Sequence, residues 1–340
     1  MVYLPSKKLL ITIFRTALNN FIHSPGDNLI LARVHRLLEW QHVEPNGYTW
    51  LTPIVLSIIL SALIHYVLGH VMVSLLILES AKTREPVSSE TGMKRMPSTR
   101  HIRSTLSSLY RTEGICSFFN GLGAAITYWL ARSSTTRLLQ WLLFRHVYLQ
   151  PIAHVFSCLL LAETHLYWTA CTISASAAQK KQFSWCHDRT RWKLLAIPTL
   201  IYAAAEVVIN HIPSGVELLT LPAEGNAPVD SRKVILSDIL VSLLLLVLQF
   251  LLLLPSYIVW ISIEGSLLPE KYETIVPSHR QRGARIAELF PRGILPISWR
   301  KAYQMIRVGR WLWLIELHAK MCLCLLCVDI VTHFVVYCLR

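Results

Sequence analysis

Six apolar stretches of membrane length recur along this chain, and they limit its fold more than any other feature. The longest runs from Val234 to Ile263, interrupted only by Asp238, Gln249 and small polar residues. Crossing the hydrocarbon layer of about 30 Å takes some 20 mostly apolar residues in a helix, and this run exceeds that length. The other five cover about 51–78, 121–144, 152–178, 194–212 and 311–339. Arg132 and Arg137 interrupt the second, Glu163 and His165 the third, and Glu206 and Asn210 the fourth. Burial inside a bundle is what permits such groups within a span.

The charges supply a separate argument. Net charge is +13, while charged residues make up only 16% of the chain, below the roughly 25% of soluble domains. Most Lys and Arg sit between the apolar runs, a pattern that fits anionic headgroups and not a nucleic acid. Residues 80–117 hold seven Lys/Arg against three acids, 179–193 five against one, and 266–311 nine against three. The link 213–232 reverses the balance, with Arg232 against Glu217, Glu224 and Asp230. Basic loops stay on the side from which a chain inserts, so the three long loops are expected on one face.

Long loops after odd-numbered spans give a unit of span, long loop, span, repeated at about 51–148, 149–213 and 233–340. The expected fold is therefore all-α: an integral membrane six-helix bundle of three two-helix repeats. Residues 1–50 form a separate basic amphipathic segment. Its first 26 residues carry Lys7, Lys8 and Arg15 and no acid, as in an import segment or a helix lying on a membrane surface.

At Glu113-Gly114-Ile115-Cys116-Ser117-Phe118-Phe119-Asn120-Gly121 the chain resembles the mitochondrial carrier family. That family has an acid–Gly pair, a spacer, then aromatic–basic–Gly before each even-numbered helix; here Asn120 stands in place of the cation. Physically, Glu113 and Gly114 would end a surface helix, and Gly121, just after Phe119, would let the chain turn into the next span. Pro255 matches the proline that kinks the family's odd helices, but the acid and two cations that follow it there are missing. The block 254–277 also resembles membrane proteins of filamentous fungi, a likeness that supplies no activity.

The resemblance implies transport of a small metabolite by alternating access, across a mitochondrial membrane, with neither cofactor nor metal. A substrate contact falls about two turns after the aromatic–basic–Gly motif, at Tyr128. Tyr128, Arg132 and Arg137 are then expected to line a cavity for an anion, joined from the fourth span by Glu206 and Asn210. The competing reading of the arginines is structural: they snorkel to an interface or pair with Glu163 or Glu206. Loss of the family's gate charges supports an alternative function, a carrier-derived adaptor or structural subunit.

Other constellations carry less. Glu316 and Lys320 are spaced for a helical ion pair, as are Asp329 and His333. Cys322-x-Cys324-x-x-Cys327 turns Cys322 away from the other two on a helix, so no metal is expected there. Ser24-Pro25-Gly26-Asp27 reads as a turn. No nucleotide-binding, serine-elbow or zincin motif is present, and an enzyme is not expected. An intramembrane enzyme would need His, Asp and Glu gathered at one depth, which the sequence does not impose.

Overall fold

The computed structural model describes residues 51–82, 102–143, 149–175, 188–220, 240–241, 243–277, 283–290, 296–304 and 308–338. The basic segment 1–50, the 24–27 turn, most of the first two long loops and the acidic link lie outside these residues.

Helix α1 (Leu51–Ile64) passes through a π-helical stretch, His65–Met72, into α2 (Val73–Lys82). The amphipathic α3 (Ile102–Glu113) leads through a 3-10 turn at Gly114–Phe119 into α4 (Leu122–Leu142). Next come α5 (Gln150–Leu160), α6 (Ala162–Ile173) and the long α7 (Arg189–Thr220). A second π-helical stretch, Gln249–Leu253, precedes α8 (Leu254–Ser266). Strands β1 (Glu273–Pro277) and β2 (Gly283–Arg285) form an antiparallel ribbon. The short α9 (Ile286–Leu289) and α10 (Trp299–Gln304) follow, and then α11 (Val308–Cys338).

Four described segments are long and apolar enough to cross a membrane: Thr52–Ala81, Arg189–His211, Leu243–Ser266 and Trp311–Val336. Their surfaces support that reading. Leu56, Leu60, Leu200, Val208, Leu251, Leu323, Val331 and Phe334 are all exposed. Meanwhile Arg132, His165, Glu206 and Glu264 are buried. Apolar surface outside and charge inside suits a hydrocarbon solvent. The chain is a multi-pass membrane protein.

The two other expected spans look different. At 21 residues, α4 is about 31 Å long and matches the hydrocarbon thickness, but it is too polar to rank with the four. The third expected span is two helices, broken at Leu161. Backbone bonding continues through the break, from Leu161 N to Ser157 O (3.1 Å) and from His165 N to Leu161 O (3.0 Å). The loop after the fifth span departs from an all-helical expectation through its ribbon. Thr274 Oγ1 donates to Ala284 O at 2.7 Å, and Ala175 N donates to Glu273 O at 3.1 Å, tying the ribbon to the end of α6.

The described residues fall into two compact units. The first takes 51–70 and the described parts of 213–249 and 315–340, the second the described parts of 71–212 and 250–314. Within the first, Tyr66 stacks on His70, Gln249 Nε2 lies 3.3 Å from His318 Nε2, and Lys320 pairs with Glu316 at 2.7 Å. The second has the denser core. There α8 packs on α2, α6 and α10, while α4 packs on α5 and α6.

Proline and glycine chemistry shapes both routes into that core. Pro255 opens α8 and supplies no N–H to the turn before it, where the chain is π-helical. Ser256 Oγ bonds back to Leu252 O and Leu253 O, both at 2.8 Å, one turn earlier in the chain. Before α4, Gly114 (φ 71°) ends α3 and Gly121 (φ 80°) caps α4, both in the left-handed region. A Cβ on Gly121 would come within 2.6 Å of Thr172 Oγ1 and 2.9 Å of Thr172 N. Only glycine lets the start of α4 approach the end of α6 so closely.

Candidate functional site: a buried charge cluster on three helices

Tyr128 and Arg132 are four apart on α4, one turn along the same face. The Arg132 guanidinium lies 6.0 Å from the centre of the Tyr128 ring. Arg132 sits midway along α4, as far from either end as that helix allows, and both residues are buried. Arg137 is five residues further, which rotates it by about 140° around the helix axis, and it is exposed. The structure therefore separates the two arginines.

The partner of Arg132 comes from α7. Arg132 Nη1 donates to Glu206 Oε2 at 3.3 Å, with both side chains almost fully buried. Asn210, one turn beyond Glu206, is exposed and takes no part. Helix α5 contributes the third group: His154 Nε2 lies 3.2 Å from the same Glu206 oxygen. Cys158, one turn after His154, places Sγ 3.6 Å from Nε2. Between them Ser157 Oγ donates to the Arg132 carbonyl oxygen at 3.0 Å, fixing α5 against α4 at this level.

The helix break next to the cluster is held by α7. Trp192 Nε1 donates to Leu159 O at 2.9 Å, and Asp188 N donates to Glu163 Oε1 at 3.0 Å. Asp188 also starts α7, its Oδ1 accepting from Thr190 N at 2.9 Å. That backbone hydrogen bond holds the Asp188 carboxyl below its ordinary range, helped by the Arg191 charge. Glu163 thus anchors the start of α7.

On the other side of Tyr128 lies a second buried group. Glu264, fully buried on α8, has His165 Nδ1 at 2.7 Å and accepts from Thr169 Oγ1 at 2.6 Å. The His165 ring stacks on Trp260 at 3.7 Å and meets Trp168 and Tyr128 edge-on at 4.9 and 5.0 Å. Tyr202 of α7 closes on Trp260 at 4.5 Å. Tyr128 consequently lies between the two groups, with the Arg132 guanidinium over its ring and the His165 ring roughly perpendicular to it.

Two carboxylates and two imidazoles are gathered here, a clustering the sequence left open. Of the expected site residues, Tyr128, Arg132 and Glu206 come together, while Arg137 and Asn210 stay outside. His154, Cys158 and Glu264 were not expected there. A local signal existed for the first two, since His154 and Cys158 are spaced i,i+4 on an otherwise apolar helix. Cys324 and Cys327 are exposed on α11 and Cys322 is buried, so that triplet does not converge.

No family description, curated protein or solved structure matches this chain. The carrier likeness accordingly rests on Glu113–Gly121 and Pro255.

Proposed function

We propose that this chain is a diverged membrane carrier that moves a small carboxylate-bearing metabolite by alternating access. The observation that carries the reading is Arg132, held mid-helix by Glu206 from another helix. A buried guanidinium already satisfied by a carboxylate is shaped to take a second one, by competition with the resident group. Irregular helix next to such a site is a feature of transporters, where it supplies bending and free backbone groups. Here the break at Leu161 and the π-helical turn before Pro255 fill that role. In this reading α4 is the second span and α5–α6 a broken third, completing six spans in three repeats. Placement in a mitochondrial membrane follows the family resemblance.

The test is a thermal-shift screen of the detergent-solubilised full chain against mono-, di- and tricarboxylates, followed by uptake into proteoliposomes. A carboxylate that stabilises the wild-type chain should be taken up by it, and Arg132→Gln should lose both effects. Uptake unaffected by Arg132→Gln would refute the proposal.

A second reading, a carrier-derived adaptor without transport, draws on one specific observation. Arg132 and Glu206 neutralise each other, so the pair is complete without a ligand. It predicts no carboxylate-dependent stabilisation at all.

A further inference from the structure

His154, Cys158 and Glu206 present one nitrogen, one sulfur and one oxygen, all within 4.8 Å of one another. From these donors we infer a zinc-binding site between α5 and α7. The inference is independent of the transport reading, because it concerns what the three side chains can ligate and not what crosses the membrane.

Distances carry the argument. Zinc takes bonds of about 2.0–2.1 Å to His nitrogen, 2.3 Å to Cys sulfur and 2.0–2.2 Å to a carboxylate oxygen, arranged as a tetrahedron. Those lengths put the ligand atoms about 3.4 Å apart for nitrogen and oxygen and about 3.6 Å apart for nitrogen and sulfur. The observed separations are 3.2 Å for His154 Nε2 to Glu206 Oε2 and 3.6 Å for His154 Nε2 to Cys158 Sγ. Only the sulfur–oxygen edge has to close up. Spacing helps as well, since His154 and Cys158 are one turn apart on one helix and reach the same point without rearranging the backbone.

The donor set selects the metal. Calcium and magnesium take oxygen ligands, which excludes a site built on thiol and imidazole. A mixed nitrogen, sulfur and oxygen set suits zinc, bound by neutral imidazole, thiolate and carboxylate. Three protein ligands leave the fourth position open.

Arg132 raises the obvious objection, a cation 3.3 Å from the same carboxylate. Arg132 Nη1 and His154 Nε2 share Glu206 Oε2, and a carboxylate oxygen carries two lone pairs, so Oε2 can ligate through one while the other keeps the Arg132 hydrogen bond. Outer partners of this kind orient a metal ligand. Zinc, thiolate and carboxylate sum to zero charge, so the loaded site is itself neutral, and entry of Zn2+ with loss of the Cys158 proton raises the net charge of the cluster by one rather than two. The Cys158 proton leaves to solvent as the metal enters.

The experiment uses the purified full chain in detergent, titrated with Co2+ as a spectroscopic probe and then with Zn2+ as competitor. The wild-type chain should take up one Co2+ with a near-ultraviolet thiolate-to-cobalt charge-transfer band that Zn2+ abolishes. Cys158→Ser, nearly isosteric, should lose the band and weaken Zn2+ binding by at least about tenfold, while Cys322→Ser keeps both. His154→Gln should weaken binding equally, with helix content by circular dichroism confirming that each variant is folded. Absence of the band in the wild-type chain would overturn the inference, and so would a band that survives Cys158→Ser.

Discussion

Arg132 and Glu206, 74 residues apart in sequence, meet at 3.3 Å in the interior of the second unit. A pair so buried gives weak net stability while whole, because desolvation consumes most of the attraction. Breaking one side is another matter. Arg132→Ala or Glu206→Ala strands the opposite charge and should each cost about 3–5 kcal/mol. Replacing both by Met should restore most of that loss. Unfolding midpoints of the three variants in detergent, compared with the wild-type chain, check the prediction.

Glu264 is the most deeply held carboxylate among the described residues. Glu264→Leu removes a carboxylate that both His165 and Thr169 use in the buried core, and should cost about 1–3 kcal/mol for each hydrogen bond lost. Glu264→Gln keeps the shape and one acceptor, so it should cost less. Trp260, stacked on His165, provides an intrinsic fluorescence probe for the loss of packing.

The two left-handed glycines should respond unequally to alanine. Gly114→Ala adds a methyl group to open space and meets only the backbone penalty, about 1–2 kcal/mol. Gly121→Ala meets the same penalty and also drives its methyl into the Thr172 backbone, so its loss should be larger by at least about 1 kcal/mol. Paired thermal melts decide it.

How much of this was legible beforehand differs from residue to residue. The ends of α3 and α4 could be read because their cause is local: Gly114 and Gly121 are where a chain reverses cheaply. The Tyr128–Arg132 contact was legible for the same reason, as an i,i+4 pair. Glu206 stood among the pairing candidates for Arg132, because both charges interrupt apolar spans; Glu264, the partner of His165 and Thr169, did not, since it arrives from 95 to 99 residues away, beyond any periodicity. The break at Leu161 falls in a run of leucines with neither Gly nor Pro to signal it. Tertiary bonds from Trp192 and Asp188 hold the break instead. The ribbon was missed because Glu273–Pro277 lies among prolines and charges, which read as turns; its pairing depends on Gly283. Any side chain there would collide with the Thr274 carbonyl oxygen.

Tyr272 gives a pH signature outside the spans. It donates to Ala170 O at 3.1 Å, and burial pushes its phenol up to about 12. In the unfolded chain the phenol titrates near 10, so between these values the folded protein keeps a proton that the unfolded chain has lost. This contribution is whole below pH of about 10 and is lost as pH rises towards about 12. Tyr272→Phe should lower stability at neutral pH and flatten its alkaline decline, measured by unfolding across that range.

Binding of a labelled carboxylate, the one selected by thermal shift, to the purified full chain tests the central claim most directly. The account predicts saturable binding by the wild-type protein and none by Arg132→Gln of unchanged helix content. Equal binding by both proteins would contradict it.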